Sequence, residues 1–399
     1  MTNFAGLMVL RCLQSAGSSA TIALAAGSVA DVVTRAERGK FIAYASVGVT
    51  LGPALGPVVG GLLTESLGWR AIFWFLAILS AVLFAVYFAL VPETARSVVG
   101  NGSIPPPRLF MTPSQLLAHR RGGHTPEAEV QPASTRAARR RLNPFAALGI
   151  LGEREGGVTL GFGSLMYAGQ FMVLATLPVL LEARFGFNAA QVGLCYLPIF
   201  LGTVCSRWVA GRLLDWNFRR HARRLGLEID RDRQQELDGF PIEAARLEVC
   251  IPMIYVTGLC LVAYGWTMQS GASLAGIIAV LFFFGVFNAG GLAGLTTLVV
   301  DTHQDSPATA LAANNLFRCL VSAGATAVAV PLIDRIGIGW TSVFVAGVWV
   351  CFSPCLWLVL FRGQKWRRDR KSRVDKAKER TGEKKAAVGG EGRKAGESV

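Results

Sequence analysis

Charged residues are scarce in this chain: they form 17% of its 399 residues, whereas hydrophobic residues form 52%. A protein of this composition is difficult to keep in water, because soluble domains carry charge over much of their surface. The chain has only four histidines, most of them in polar connectors, and none is a convincing catalytic base. No serine-histidine-aspartate arrangement and no phosphate-binding loop stands out, so we predict neither an enzyme nor an ATP-driven motor.

Cysteine is also present without a metal-binding or redox pattern. The eight cysteines include no C-x-x-C pair, and all of them lie in or at the edge of apolar stretches. Such cysteines behave as small hydrophobic residues. We therefore predict no metal site, no disulfide framework and no cofactor. The region near Met1 lacks the basic flank and the cleavage site of a signal peptide, so nothing suggests secretion.

Long apolar stretches, by contrast, are abundant. A transmembrane helix needs about 20 apolar residues, and about nine stretches reach that length. They lie at residues 5–30, 41–63, 70–91, 157–181, 189–211, 248–268, 273–299, 309–332 and 339–362. The sequence therefore predicts an all-α fold, a multi-span integral membrane helical bundle.

The basic residues are distributed unevenly between the connectors. A net charge of +14 could indicate binding to nucleic acid. However, lysine and arginine concentrate in the connectors after the first, third and fifth apolar stretches and in the tail. Because these residues mark the cytoplasmic side of short loops, we predict that the basic connectors face the cytosol and that the chain binds no nucleic acid.

The predicted topology raises a question about the start of the chain. An odd number of spans with a cytosolic tail would place Met1 outside the cytosol, which is awkward without a signal peptide. We therefore expect the chain to be the later part of a longer membrane protein whose first spans are absent. The alternative is that residues 1–30 do not span, which leaves about eight spans and a cytosolic start.

A polar segment at 92–156 divides the chain into two bundles of unequal size. It is rich in proline and ends in a basic run, as is typical of a cytosolic linker. We predict a remainder of an N-terminal bundle at 1–91, this linker, a six-helix bundle at 157–363 and a basic cytosolic tail at 364–399. The tail is rich in lysine and arginine, so we expect it to be disordered and to contact anionic lipid.

One apolar stretch has the composition of a closely packed membrane helix. Glycine occupies every fourth position from Gly48 to Gly60, with Pro53 and Pro57 on the neighbouring stripe. Glycine at this spacing lets another backbone approach closely in lipid, and each proline removes a backbone hydrogen bond. The pattern therefore predicts a bent helix with a close helical neighbour.

Three groups of residues resemble sequence motifs of one family of membrane proteins. The first group is similar to the fifth-span motif of major facilitator superfamily antiporters and consists of Gly52, Gly56, Pro57, Gly60 and Gly61. The second is similar to the fourth-span motif of that family and consists of Arg11, Gln14 and Gly17. The third is similar to part of a cytosolic loop motif and consists of Gly211, Asp215, Arg219 and Arg220. With the stretches 92–105 and 240–243, they make the chain resemble the twelve-span fungal drug:proton antiporter branch, which includes quinidine-resistance, polyamine and dityrosine exporters.

This resemblance implies a fold and a function. The fold would be the major facilitator fold with about nine of its twelve spans, residues 1–91 forming spans four to six. The function would be export of small organic molecules, namely drugs, polyamines or related organic cations, by proton antiport with alternating access. The partners would be the lipid bilayer, the substrate and protons, at the plasma membrane. The alternative is a non-transporting membrane sensor or receptor, or an inactive truncated transporter.

The resemblance also assigns roles, and for each role the residues leave a structural alternative. It implies that Arg11 participates in proton coupling and that Gln14 holds its geometry; the alternative is an arginine near a helix end that reaches the interface. The glycine motif would limit leakage in addition to packing two helices. The loop motif would form a conformational latch between two spans, or else an ordinary solvated cluster, worth under about 1 kcal/mol per exposed pair.

Polar residues inside the later apolar stretches could line a substrate cavity near the midplane. They are Tyr167, Gln170, Asn288, Asn314 and Asn315. Hydrogen bonding between helices is at least an equal alternative for each of them. Arg207 and Arg318 also lie in or near apolar stretches, and the sequence alone does not tell whether they face a substrate or a lipid headgroup.

Overall fold

The computed structural model of the chain describes residues 3–19, 21–32, 47–94, 99, 111–113, 115–116, 146–226, 240–303 and 307–396, and all regular secondary structure in these ranges is helical. The helices are α1 (Phe4–Ser19), α2 (Thr21–Val32), α3 (Val47–Leu67), α4 (Arg70–Leu90), α5 (Ala146–Leu151), α6 (Arg154–Phe185), α7 (Ala189–Leu194), α8 (Leu197–Arg224), α9 (Ile242–Gln269), α10 (Leu274–Thr302) and α11 (Pro307–Gly396). The first basic connector and most of the predicted linker lie outside the described residues.

The all-helical, multi-span prediction is confirmed. Among the described residues, six helical segments are long and apolar enough to cross a membrane, and they are Arg70–Leu90, Arg154–Phe185, Ala189–Arg224, Ile242–Gln269, Leu274–Thr302 and Thr309–Arg370. The last segment contains two of the predicted stretches, 309–332 and 339–362. It is interrupted at Gly337, where a φ of 79° breaks the helical conformation. Only glycine adopts such a conformation without strain.

The first of two compact units comprises Met1–Leu142 and Phe187–Leu197. Within it, α7 packs against α3. Asn188 caps α7, because its side chain accepts from the Gln191 backbone N–H at 2.9 Å while Gln191 accepts from the Asn188 backbone. The same Asn188 amide donates to Glu65 at 2.8 Å, which links the start of α7 to the end of α3.

The second unit comprises Asn143–Gly186 and Pro198–Val399. In it, α6 packs against α11, and α9 packs against both α10 and α11. The backbones of α8 and α10 approach closely because Gly202 faces α10 and Gly285 faces α8. The indole N–H of Trp349 donates to the Leu165 carbonyl at 3.1 Å and fixes α11 against α6. These contacts position the polar residues of α6, α10 and α11.

The end of the chain differs from the prediction. We expected a disordered tail at 364–399, but α11 continues as a helix through Gly396. The segment is rich in lysine and arginine, with alanine and glutamate among them. These residues have high helix propensity, so a helix that has already begun in the membrane segment extends through them.

Candidate functional site

Arg318 of α11 lies against Tyr167 of α6 in the second unit. The guanidinium carbon of Arg318 is 4.6 Å from the centroid of the Tyr167 ring. Arg318 Nε is buried and has no hydrogen-bond partner in the described part of the chain. The sequence indicated Arg318 only as a charged residue inside an apolar stretch. The structure shows that it faces into the helical unit and contacts Tyr167.

Gln170 and Asn288 join α6 to α10. The Asn288 amide donates to Gln170 Oε1 at 3.0 Å, and Asn288 is only 1% exposed. Asn288 is therefore engaged in a hydrogen bond between helices, the alternative that the sequence left open. On α11, Asn314 is half-buried and its neighbour Asn315 is exposed.

Arg11 and Gln14 lie together in the first unit. Arg11 Nη1 donates to Gln14 Oε1 at 3.1 Å, and the Arg11 guanidinium lies 4.8 Å from the Phe73 ring centroid on α4. Both polar side chains are exposed at a cavity of about 320 Å³. The cavity is lined by Leu7, Leu10, Arg11, Gln14, Trp69, Arg70, Phe73 and Trp74. At Gly17 a Cβ would meet nothing within 4 Å in the described structure.

The glycine-proline motif of α3 makes close backbone contact with α7 at Gly61 and at Pro57. A Cβ on Gly61 would lie 2.9 Å from the Ala189 carbonyl carbon, and a Cβ on Gly193 would lie 2.5 Å from the Pro57 oxygen. Gly61 and Gly193 thus let the backbones of α3 and α7 touch. Around Gly52 and Gly56 nothing in the described structure lies within 4 Å of a Cβ, and at Gly60 the nearest atom is Ile72 Cδ1 at 3.8 Å.

Gly61 has close backbone neighbours, whereas Gly56 has none in the described structure, so we expect substitutions at the two positions to have different effects. We expect Gly61→Leu to push α7 away from α3 and to lower the yield of folded protein, since overpacking typically costs about 1–3 kcal/mol. Gly56→Leu should leave the protein folded in the membrane but abolish transport, as the motif resemblance implies. Fluorescence-detected size exclusion and an efflux assay would measure both effects. Normal efflux by the Gly56 variant, or a fully folded Gly61 variant, would contradict the expectation.

Of the residues predicted to form the latch, Arg220 lies at the contact between α8 and α9. Gly211 is half-buried, Asp215 and Arg219 are exposed, and among the described residues neither charged side chain has an ion-pair partner. Arg220 does contact α9, but its Nη1 lies 3.8 Å from Glu248 Oε2.

Closer contacts to Glu248 come from Asn217 and His221. The buried Asn217 amide donates to the Ala245 carbonyl at 3.0 Å and to Glu248 at 3.1 Å. His221 Nε2 lies 3.0 Å from Glu248 Oε2. Sequence reasoning did not pair these residues, because Asn217 and His221 lie in the predicted connector and Glu248 begins the next predicted span.

Ion pairs join α9 to α10 and to α11 at one end of the second unit. The sequence predicts that this end faces the cytosol. Arg246 of α9 pairs with Asp301 of α10 at 3.0 Å. Arg367 Nε of α11 lies 3.2 Å from Glu243 Oε1 of α9, and the Glu243 side chain is 1% exposed. The start of the predicted tail is therefore attached to the helical unit.

Glu153 forms a second attachment point for α11. Its carboxylate contacts both Arg370 and His303 Nε2, the latter at 2.9 Å, and His303 Nδ1 lies 2.9 Å from the Val299 carbonyl oxygen. Burial alone would raise the pKa of the Glu153 carboxyl, but the hydrogen bonds and charges of His303 and Arg370 lower that pKa below its ordinary value. Glu153 is therefore ionised at neutral pH. Sequence reasoning placed His303 in a connector and missed this contact.

Comparisons with known proteins agree with this architecture. The profile of the Major Facilitator Superfamily matches residues 1–326. MFS-type transporter R5 of Phoma sp. is 43% identical over 366 residues, covering 92% of this chain and 69% of the relative. MFS-type transporter clz19 of Cochliobolus lunatus is 42% identical, over 92% of this chain and 68% of the relative. Citrate exporter 1 of Aspergillus niger is 31% identical, over 93% of this chain and 71% of the relative. The chain is a member of the Major Facilitator Superfamily and a membrane transporter, not an enzyme.

Proposed function

We propose that this chain exports small organic molecules in exchange for protons, by alternating access. The observation that carries the proposal is the antiporter-type glycine motif of α3, in which Gly61 brings α3 against α7. A helix with a bare backbone face can remain closely packed while its neighbours tilt, as alternating access requires. A relative is named an exporter, which agrees with outward transport.

Arg11 is the proposed participant in proton coupling. An arginine inside an apolar helix costs about 2.5–3.5 kcal/mol on insertion scales, so its presence there favours a functional role. The hydrogen bond to Gln14 and the Phe73 ring hold the guanidinium in one orientation beside a cavity. A fixed cation of this kind can alter the proton affinity of an acidic group that enters the same cavity.

The substrates and the membrane belong to the same proposal. Resemblance to drug and polyamine exporters favours small organic molecules, and the relative named for citrate extends that range to organic acids. We place the transporter in the plasma membrane, where export removes a compound from the cell. The predicted cytosolic face carries many lysine and arginine residues, which favours contact with anionic lipid.

Transport by inside-out membrane vesicles tests the proposal. We expect vesicles containing the chain to accumulate a labelled substrate when their lumen is acidified, and to lose that accumulation when a protonophore is added. Spermidine, citrate and a lipophilic dye would cover three substrate classes. Arg11→Gln should abolish accumulation, whereas Arg335→Gln, which alters an exposed arginine of α11, should not. If the chain binds one of these compounds but none of the three classes accumulates in the vesicles, the result would instead indicate a non-transporting receptor.

A further inference from the structure

The guanidinium of Arg318 carries a positive charge that has no anionic partner in the described part of the chain. It lies within an apolar stretch of α11, where an unpaired charge is expensive. The Tyr167 ring beneath it attracts the cation but does not neutralise it. The buried Nε also has no hydrogen-bond acceptor among the described residues. A buried donor of this kind calls for an acceptor from beyond the described residues, and a bound substrate is one such source.

Further polar groups lie on the same face of α11. Asn314 and Ser322 are four residues before and after Arg318, and side chains at this spacing lie above one another on a helix. Asn314 is half-buried, and Ser322 is 5% exposed with an Oγ that has no hydrogen-bond partner in the described structure. An amide, a guanidinium and a hydroxyl therefore follow one another along this face, and all three can donate hydrogen bonds.

We infer that Arg318 binds a carboxylate group of the transported molecule, so that the substrates of this chain are organic acids. The inference rests on the proposed export function and identifies its substrate class. A carboxylate matches the fork of the guanidinium and neutralises its single charge. The burial of Arg318 Nε strengthens that attraction, because less water screens the charge on that side.

One other class of substrate fits this site less well. A polyamine would bring positive charge against Arg318, and the repulsion would be strong in an apolar environment. The polar face of α11 therefore favours carboxylates over the organic cations that sequence resemblance implied.

Ligand binding to the purified full chain tests the inference without requiring transport. Lactate, succinate and citrate serve as probes with one, two and three carboxyl groups, and spermidine represents the cations. By isothermal titration calorimetry we expect at least one acid to bind the unaltered chain more tightly than spermidine. Arg318→Gln should weaken that binding roughly 10–100-fold, the effect of losing hydrogen bonds to a charged group. The affinity of Arg318→Lys, which keeps the charge but not the forked geometry of the guanidinium, should lie between those of the unaltered chain and Arg318→Gln.

A matched control and a stability measurement make the result decisive. Arg207→Gln removes the same charge from an exposed position in another apolar stretch and should leave acid binding unchanged. If Arg318 has no internal anionic partner, Arg318→Gln should leave the melting temperature of the ligand-free chain unchanged or raise it. A marked fall in that temperature would assign Arg318 a structural role and overturn the inference. It would also be overturned if none of the three acids binds, or if Arg318→Gln binds them as the unaltered chain does.

The proposed function and this inference can fail separately. Acid binding that depends on Arg318, without accumulation in vesicles, would reject proton-coupled export but retain the carboxylate site. Proton-driven accumulation of spermidine that does not depend on Arg318, with no acid binding, would retain the exporter and reject the carboxylate site.

Discussion

Gly285→Leu is expected to prevent the second unit from folding. A Cβ at Gly285 would lie 3.0 Å from the Ile199 carbonyl carbon, and one at the facing Gly202 would lie 2.9 Å from the Val286 nitrogen. Both clashes are with backbone, which cannot rotate away as a side chain can. The helices α8 and α10 would have to separate, at a cost of about 3 kcal/mol, the upper end of the range typical of overpacking. Loss of a monodisperse peak in size-exclusion chromatography would measure the effect.

Gly347→Leu is the matched control for this substitution. Gly347 lies on α11, and nothing in the described structure is within 4 Å of a Cβ at that position. Leucine has a higher helix propensity than glycine, by somewhat under 1 kcal/mol. The control variant should therefore purify like the unaltered chain. Equal losses in the two variants would show that the α8–α10 contact is not what limits folding.

Arg367→Gln is expected to be the most destabilising change at the predicted cytosolic end. The substitution leaves the Glu243 carboxylate, which is 1% exposed, without its cation. Removal of one partner of a buried ion pair costs about 3–5 kcal/mol, because the other charge remains buried. The melting temperature of the detergent-solubilised chain should fall clearly. The helix beyond Arg367 should also become more sensitive to protease, since this pair attaches it to α9.

The same substitution at an exposed ion pair provides the control. Arg220 and Glu248 are 41% and 38% exposed and lie 3.8 Å apart, so Arg220→Gln should cost less than about 1 kcal/mol. The double variant Glu243→Gln/Arg367→Gln should recover part of the stability, because it removes the buried charge that Arg367→Gln alone leaves at Glu243. If the double variant is less stable than Arg367→Gln alone, the Glu243–Arg367 pair does not stabilise through its charges.

The helices could be predicted from the sequence because lipid imposes a simple rule. A segment that crosses the membrane must satisfy its own backbone and present apolar side chains, so length and composition identify it. The break at Gly337 is consistent with the predicted boundary between the last two stretches. The helical tail was not predicted, because high charge lowered the expectation of order although the residues themselves favour a helix.

The contacts between helices could not be predicted in the same way. The spacing of glycines indicated a close neighbour but did not show that Gly61, rather than Gly56, makes the contact in the described structure. Ion pairs such as Glu243–Arg367 join residues far apart in sequence, and no periodic pattern connects them. Arg318 was recognisable as a charge in an apolar stretch, but the direction of its side chain depends on how α11 packs against α6.

Substrate-induced proton movement in proteoliposomes tests the central claim most directly. The purified chain would be reconstituted around a trapped pH-sensitive dye, with a panel of acids and spermidine added outside in turn and no gradient imposed. The exchange mechanism predicts that a transported substrate moves protons in the opposite direction, that a carboxylic acid gives the largest response, and that Arg318→Gln abolishes it. Responses equal to those of protein-free liposomes for every compound would contradict proton-coupled export by this chain.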